Sequence, residues 1–362
     1  MTRVSFVLPN LGGGGAEKVT LTLAQEFLAE GHEVDLVTLQ ASGELLDAIP
    51  SGAQLFDLGV KRIRQALWPL WKYFRERRPA AVHAAMWPLT IMVIIAARLS
   101  TRPRVVVSDH SILSMQYGGS RTVMAALRWT MRLFYPLADA RVGVSQGCVS
   151  DLARISGISE ARFDTIANPV AIPQTGIIAS SDAELLWGKA GRRILTVGKL
   201  KKAKNHALLI RAFARLPKSL NAKLVIMGEG ELRPRLQRLI DDLGLTDSII
   251  LPGFTGDPWP YYASADLFVL SSNREGFPLV LIEAMLAGAR IVSTNCGNGF
   301  AEILMDGQLG TLVPTDDATA LAQAMLTALS NPHDPEPGRQ HAARLCRESS
   351  DRYFELMLPE SR

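Results

Sequence analysis

Two glutamates, Glu275 and Glu283, stand eight positions apart in a stretch, Arg274 to Met285, that runs from a polar loop into an apolar segment of helical period. Glu275 sits beside Gly276. Pro278 has a φ suited to a first helical turn, and Leu279, Leu281, Ile282, Met285 and Leu286 supply the apolar face. Glu283 therefore falls about a turn and a half into the helix. A helix opening in this way turns backbone N–H groups and a positive dipole end toward a diphosphate, with Gly276, Phe277, Pro278 and Leu279 at the cradle. Carboxylates on either side suit sugar hydroxyls as hydrogen-bond acceptors. Acid, phosphate cradle and second acid together fit a nucleotide-diphosphate sugar.

Further groups sit at other strand ends. Lys199, Lys201, Lys202 and Lys204 crowd six positions directly after the apolar run Ile194–Val197; a charge run of this kind also reads as a solvated turn. Gly12 to Gly15 follow the run Val4–Leu8, and Gly14 and Gly15 let a backbone approach phosphate or sugar closely. That loop also imitates a dinucleotide fingerprint, since Asp35 follows about twenty residues on, at the end of a second-strand region. An NAD-dependent oxidoreductase is the competing reading. His110 stands just past the run Val105–Val107, at the edge where open α/β sheets bind ligands, although a lone His is commonly structural. Gly228 and Gly230 follow Leu224–Met227, and Phe254 follows Ile249–Leu251; each loop reads as a pocket wall or an ordinary turn.

These groups need sheets to hold them. Short apolar runs at Val4–Leu8, Val34–Leu39, Ala81–His83, Arg104–Val107 and Arg141–Val144 alternate with helical pattern or loop. Alternation of this kind builds a parallel sheet covered on both faces. Asn168-Pro169-Val170 breaks it, and a poorly patterned connection follows to about Arg192. It restarts at Ile194–Val197, Leu224–Met227, Ile249–Leu251, Leu267–Leu270 and Ile291–Ser293, with helical segments such as His206–Leu216 and Glu231–Leu243 between. The fold class is α/β with two Rossmann-like domains, residues 1–170 and 171–340, and a last helical segment over 341–362.

A chain of 362 residues suits two such domains. The nearest candidate for a membrane span, the uncharged stretch Ala84 to Ala97, contains Pro88 and is shorter than a bilayer needs, and the start runs straight into a strand without a signal-peptide pattern. A cytoplasmic protein is expected. Cys148, Cys296 and Cys346 have unrelated spacings, which suggests neither a disulfide framework nor a metal cluster. The net charge of +4 arises before Val170, where 18 bases meet 14 acids. Lys61 to Arg78 alone holds seven bases against Glu76, interleaved with Trp68, Trp71, Tyr73 and Phe74. Cations among aromatics on one amphipathic element suit an anionic membrane surface, as does the run Arg128 to Tyr135. Nucleic acid attracts the same charges but is not the expected partner, and a plain exposed helix is the bland alternative.

The segment from Arg274 to Met285 resembles the donor motif of the group 1 retaining glycosyltransferases, whose two-Rossmann-domain architecture is called GT-B. The likeness continues through Ala287 to Thr294, where Arg290 replaces a usual Pro, and through Gly299 to Leu304 and Gly307 to Pro314. It also takes in the glycine loop, the strand-end His110, and the lysine loop, in which Lys199 stands for a common Arg and Asn205 for a Gly. The resemblance implies that Glu275 binds donor-sugar hydroxyls, Glu283 the ribose, Lys199 and Lys204 the diphosphate, and His110 the sugar. Gly15 would lie near the diphosphate or acceptor, and Gly228, Gly230 and Phe254 would line the base and ribose pocket. Lys keeps the charge of Arg but loses its bidentate fork. A nucleotide-sugar donor, a glycan or lipid-linked acceptor and no separate cofactor are expected. No Asp-x-Asp occurs in the chain, so a metal-independent reaction is expected. A non-catalytic relative that keeps the fold is a third reading, disfavoured by the full set of Glu275, Glu283, Lys204 and His110.

Overall fold

Val, Ile and Leu crowd the strands because both faces of each sheet are covered, so alternation gives way to near-continuous apolar runs. The computed structural model describes residues 1–173, 176–297 and 299–359. Gln174 and Thr175 of the expected connection, Asn298, the side chain of Ala301 and the last three residues of the expected terminal segment lie outside the described residues. The chain divides into two units, Met1–Val170 with Leu345–Arg362, and Ala171–Arg344.

In the first unit β1 (Arg3–Leu8), β2 (Glu33–Thr38), β3 (Gln54–Asp57), β4 (Ala81–Ala85), β5 (Arg104–Asp109), β6 (Ala140–Gly143) and β7 (Asp164–Thr165) form one parallel sheet in the order β3-β2-β1-β4-β5-β6-β7. In the second, β8 (Arg192–Val197), β9 (Ala222–Met227), β10 (Ile249–Gly253), β11 (Leu267–Leu270), β12 (Arg290–Thr294) and β13 (Thr311–Val313) follow the order β10-β9-β8-β11-β12-β13. Both are doubly wound parallel sheets, as expected for Rossmann-like domains. Strands β3 and β7 carry no apolar run, since each lies at a sheet edge with mostly exposed or half-buried residues, and so neither is expected from the sequence.

Strand order reverses between β1 and β4 and again between β8 and β11. A crevice opens at the carboxyl ends of the strands on either side of such a reversal. β1 leads into the glycine loop and helix Gly15–Ala29, β8 into the lysine loop, and β11 into Ser271–Glu275. The glycine loop, the lysine loop and Glu275 thus stand at the switch points. Helices close the faces; in the second unit Leu209, Phe213, Leu321 and Met325 pack on Ile194, Leu224, Ile226 and Val292.

Asp35 is placed differently from the expectation. It lies inside β2 rather than at its end and is 1% exposed. The Arg77 guanidinium donates to it from Nε and Nη2 at 3.1 Å each, and the Tyr73 hydroxyl donates at 2.6 Å. Both donors come from helix Leu67–Arg77. The carboxylate on which the NAD-dependent reading rests is therefore a buried structural anchor.

The last helix spans Glu336–Met357, starting before the expected residue 341, and from Leu345 onward belongs to the first unit. There the Phe354 ring stacks on Phe27 with centroids 4.0 Å apart, Tyr353 is fully buried with its ring edge-on to His83, and Arg352 pairs with Asp164 at 2.8 Å. Burial of each such aromatic stabilises by about 1.5–3 kcal/mol, enough to hold the segment to this sheet.

Candidate functional site

In the second unit the lysine loop is fastened on two sides. On one, Gly198 N–H donates to Met227 O at 2.9 Å, Leu200 N–H to Glu229 O at 2.8 Å, and Leu232 N–H to Leu200 O at 3.0 Å. Gly228 and Gly230 permit this approach. Their φ values are 139° and 157°, and a Cβ would stand 2.2 Å from Gly198 O in the first case and 2.6 Å from Leu200 O in the second. The pair serves the loop through its missing side chains.

On the other side the loop meets the segment after β11. The Asn273 amide donates to Ala203 O at 2.8 Å, Ser271 Oγ to Lys204 O at 3.1 Å, and the Asn205 side chain to Asn273 Oδ1 and Asp316 Oδ1 at 2.9 Å each. Asn205 has φ 45°, a left-handed conformation that Asn tolerates, which is why it stands where Gly is usual. Lys204 Nζ then lies 2.6 Å from Glu275 Oε1, and Ser272 Oγ donates to the same oxygen at 2.6 Å. Lys204 and Glu275 side chains are only 15% and 14% exposed. Two groups 71 residues apart in sequence form one charge-assisted contact at the switch point. Lys199 is exposed beside them. Cys296 lies near Glu275 and Lys204, and burial with the Glu275 charge pushes its thiol up to about 12, which leaves it protonated and unreactive at neutral pH.

Helix Leu279–Ala287 begins after Pro278, which has φ −76° and ψ 100° and so precedes the helix instead of forming its first turn. No side chain caps this end. Phe277 and Leu279 are buried, Gly276 is half-buried, and Phe254, just after β10, is 40% exposed. Glu283 is 4% exposed and accepts from the Tyr262 hydroxyl at 2.7 Å. Burial and the Glu283 charge raise the Tyr262 phenol well above its ordinary range, so it remains a donor. Tyr262 and Ser272 are contacts that no sequence motif marks. Both are ordinary residues in ordinary strings, made relevant only by where the chain brings them.

In the first unit Gly14 precedes helix Gly15–Ala29 and Gly15 is its first residue. Three amides of the loop are already engaged, Gly12 N–H by Asn10 Oδ1 at 3.1 Å, Gly13 N–H by Glu44 Oε2 at 3.2 Å and Gly14 N–H by Gly12 O at 2.7 Å. His110 follows β5. Its Nε2 lies 2.9 Å from Ser108 Oγ and its Nδ1 lies 2.9 Å from Asn168 Oδ1, and burial lowers the imidazole to about 4. Asp109 beside it points to Tyr135, whose hydroxyl donates at 2.7 Å, and burial pushes its carboxyl up to about 6.

The basic aromatic stretch divides. Tyr73 and Phe74 are core residues and Arg77 belongs to Asp35. Trp68 is 67% exposed and stacks on Trp71 at 4.4 Å, Arg75 lies 5.0 Å over the Trp71 ring, and Lys61, Arg62, Arg64 and Lys72 are exposed. Helix Arg121–Phe134 carries no acid and exposes Arg121, Arg128 and Arg132 beside Trp129 and Leu133. Among the described residues no helix is long and apolar enough to cross a membrane, and no three His, Cys, Asp or Glu side chains gather where they would hold a metal ion.

Residues 13–172 match the profile of glycosyltransferase family 4, and residues 179–345 that of the glycosyl transferases group 1. Over 341 residues, covering 91% of each chain, the protein is 30% identical to N-acetylgalactosamine-N,N'-diacetylbacillosaminyl-diphospho-undecaprenol 4-alpha-N-acetylgalactosaminyltransferase of Campylobacter jejuni. It is 26% identical, over 96% of this chain and 94% of the other, to the GalNAc-alpha-(1->4)-GalNAc-alpha-(1->3)-diNAcBac-PP-undecaprenol alpha-1,4-N-acetyl-D-galactosaminyltransferase of the same organism. Among solved structures, HepE of Anabaena in complex with UDP and glucose shares the fold with a TM-score of 0.77 at 20% identity, over 99% of this chain and 97% of that one.

Proposed function

Because the chain belongs to the group 1 glycosyltransferases, we propose that it transfers a sugar from a UDP-sugar to a hydroxyl of a glycan carried on a lipid diphosphate, with retention at the anomeric carbon and without a metal ion. The observation that carries this reading is the Lys204–Glu275 contact at the switch point of the second sheet. Glu275 orients the ammonium of Lys204, which with Lys199 and the amides at the start of helix Leu279–Ala287 takes the diphosphate. The same carboxylate accepts from sugar hydroxyls, and Glu283, held by Tyr262, accepts from the ribose. In the reaction the bond from the anomeric carbon to the diphosphate oxygen breaks while the acceptor oxygen bonds to that carbon from the same face. The acceptor proton passes to the departing phosphate oxygen. Fixed cations and amides stabilise the charge that develops there without reorganising, which is where most of the rate enhancement would arise. The printed names of the two Campylobacter relatives motivate the lipid-linked acceptor, and the UDP complex of the fold neighbour motivates the base.

A thermal-shift panel of UDP, GDP, ADP, dTDP and NAD in the presence of EDTA tests the donor half. UDP is expected to stabilise the wild type, by about 2.7 kcal/mol at a hundred times its Kd, and to lose most of that effect in Glu283→Ala. Stabilisation by NAD alone, or by UDP equally in both proteins, would sink the reading. Transfer from UDP-N-acetylgalactosamine to an undecaprenyl-diphosphate-linked oligosaccharide tests the other half.

The acceptor class also makes sense of the exposed cations. The outward faces of helices Leu67–Arg77 and Arg121–Phe134 present arginines and lysines beside tryptophan, a composition that binds anionic headgroups at about 1 kcal/mol per base. Cosedimentation with phosphatidylglycerol vesicles should fall at least tenfold in Arg128→Glu/Arg132→Glu and in high salt, and be absent with phosphatidylcholine. Equal binding to both vesicle types would remove membrane docking from the proposal.

A further inference from the structure

His110 is one link in a chain of buried polar side chains. Behind it Ser108 Oγ also lies 2.9 Å from His83 Nε2, so the line runs His83, Ser108, His110, Asn168 across β4, β5 and the exit of the unit. His83 and Ser108 are fully buried and Asn168 is 3% exposed. Hydrogen bonding along such a line has one consistent polarity. With the amide oxygen of Asn168 at Nδ1, that nitrogen of His110 carries the proton, Nε2 takes the Ser108 hydroxyl proton, and Ser108 accepts from His83 Nε2–H. His83 Nδ1 is then a bare lone pair, and it has no partner. The opposite polarity would bury an unpartnered N–H at that position, which folded proteins tolerate less.

Asn168 has a second attribute. It lies two residues before Val170, the last residue of the unit's first segment, so the side chain that meets the imidazole stands where the chain leaves the unit. We propose that Asn168 and Ser108 are positioning residues that hold the His110 imidazole in one orientation and as the Nδ1–H tautomer. The ring is thereby fixed through both nitrogens, so the edge it turns toward a bound sugar is always the same, and the turn after β5 cannot rotate independently of the chain leaving the unit. This rests on the reading of His110 as a donor-sugar contact given above. The ionisable groups nearest the ring are His83 on β4, joined to it through Ser108, Asp109 beside it on β5, Cys148 on helix Gln146–Ser156, whose thiol donates to Asp109 O and Ser111 O, and Tyr353 on the C-terminal helix, edge-on to His83. Burial lowers His83 to about 3 and raises Tyr353, so neither carries a charge beside His110 near neutral pH.

Nitrogen-15 imidazole spectra of the full chain, with transfer kinetics from UDP-N-acetylgalactosamine, test the proposal. Wild type should show His110 as a single Nδ1–H tautomer. Asn168→Ala and Ser108→Ala should each mix the tautomers and lower kcat about 10- to 100-fold with donor KM moving less than about threefold, the signature of a misplaced group. Asn168→Asp keeps an acceptor oxygen at Nδ1, so it should retain the tautomer and most of kcat; it decides the matter if Asn168→Ala does not fold. A wild-type tautomer or wild-type kcat in both truncations overturns the proposal. If the spectra show the locked tautomer but His110→Ala transfers like wild type, the donor-site reading of His110 fails and the catalytic claim falls with it, a failure the ligand-free spectra separate from the first.

Discussion

Lys204→Ala is expected to lower turnover by about 10²- to 10³-fold, the loss of roughly 3–4 kcal/mol of transition-state stabilisation. Lys204 is the member of the lysine run that the fold pins in place, through its backbone carbonyl at Ser271 and its ammonium at Glu275. A pinned cation acts on the leaving diphosphate without first losing side-chain freedom, whereas Lys199 is exposed and should matter less, by about tenfold. Truncation also strands Glu275, 14% exposed, without its counter-charge, and should cost about 1–3 kcal/mol of stability. Lys204→Arg restores charge but not shape and should recover part of the rate. Steady-state kinetics beside thermal melting separates the two effects. Turnover within threefold of wild type in folded Lys204→Ala would remove this residue from the chemistry.

Gly228→Ala is expected to destabilise the protein by roughly 3–5 kcal/mol. The new Cβ would stand 2.2 Å from Gly198 O and 2.9 Å from Gly198 C, both backbone atoms, at a φ of 139° that L-residues rarely adopt. Neither the carbonyl nor the turn yields without breaking the bond from Gly198 N–H to Met227 O. Gly244 makes the comparison: it too has positive φ, at 65°, but nothing lies within 4 Å of its Cβ position, so Gly244→Ala should cost only about 1–2 kcal/mol. Urea unfolding of the two variants reads the difference directly. Because the displaced loop carries Lys199 and Lys204, folded Gly228→Ala should also bind UDP more weakly, and equal unfolding midpoints for the two variants would show that the close approach is not rigid.

Much of this protein was legible before any coordinates. Apolar runs alternating with helical pattern gave both parallel sheets, because a strand covered on both faces must be apolar throughout and that is a local property of sequence. The same holds for the strand-end positions of the glycine loop, His110, the lysine run and Glu275, which follow from where each run stops. Edge strands β3 and β7 escaped notice since an edge needs no apolar run.

What only the tertiary structure decided is which of these groups meet, and which are withdrawn. Asp35, whose spacing from the glycine loop imitates a dinucleotide fingerprint, is a buried anchor for Arg77 and Tyr73. Two of the four aromatics in the basic stretch, Tyr73 and Phe74, are core. Lys204 was one lysine among four until Glu275 came within 2.6 Å of it, and Tyr262, Ser272 and Asn168 carried no motif at all. The reason is physical. Secondary structure and strand ends are set by patterns a few residues long, whereas a hydrogen bond or ion pair between positions 71 or 58 residues apart depends on the order in which strands line up, and that order is fixed by packing of the whole sheet.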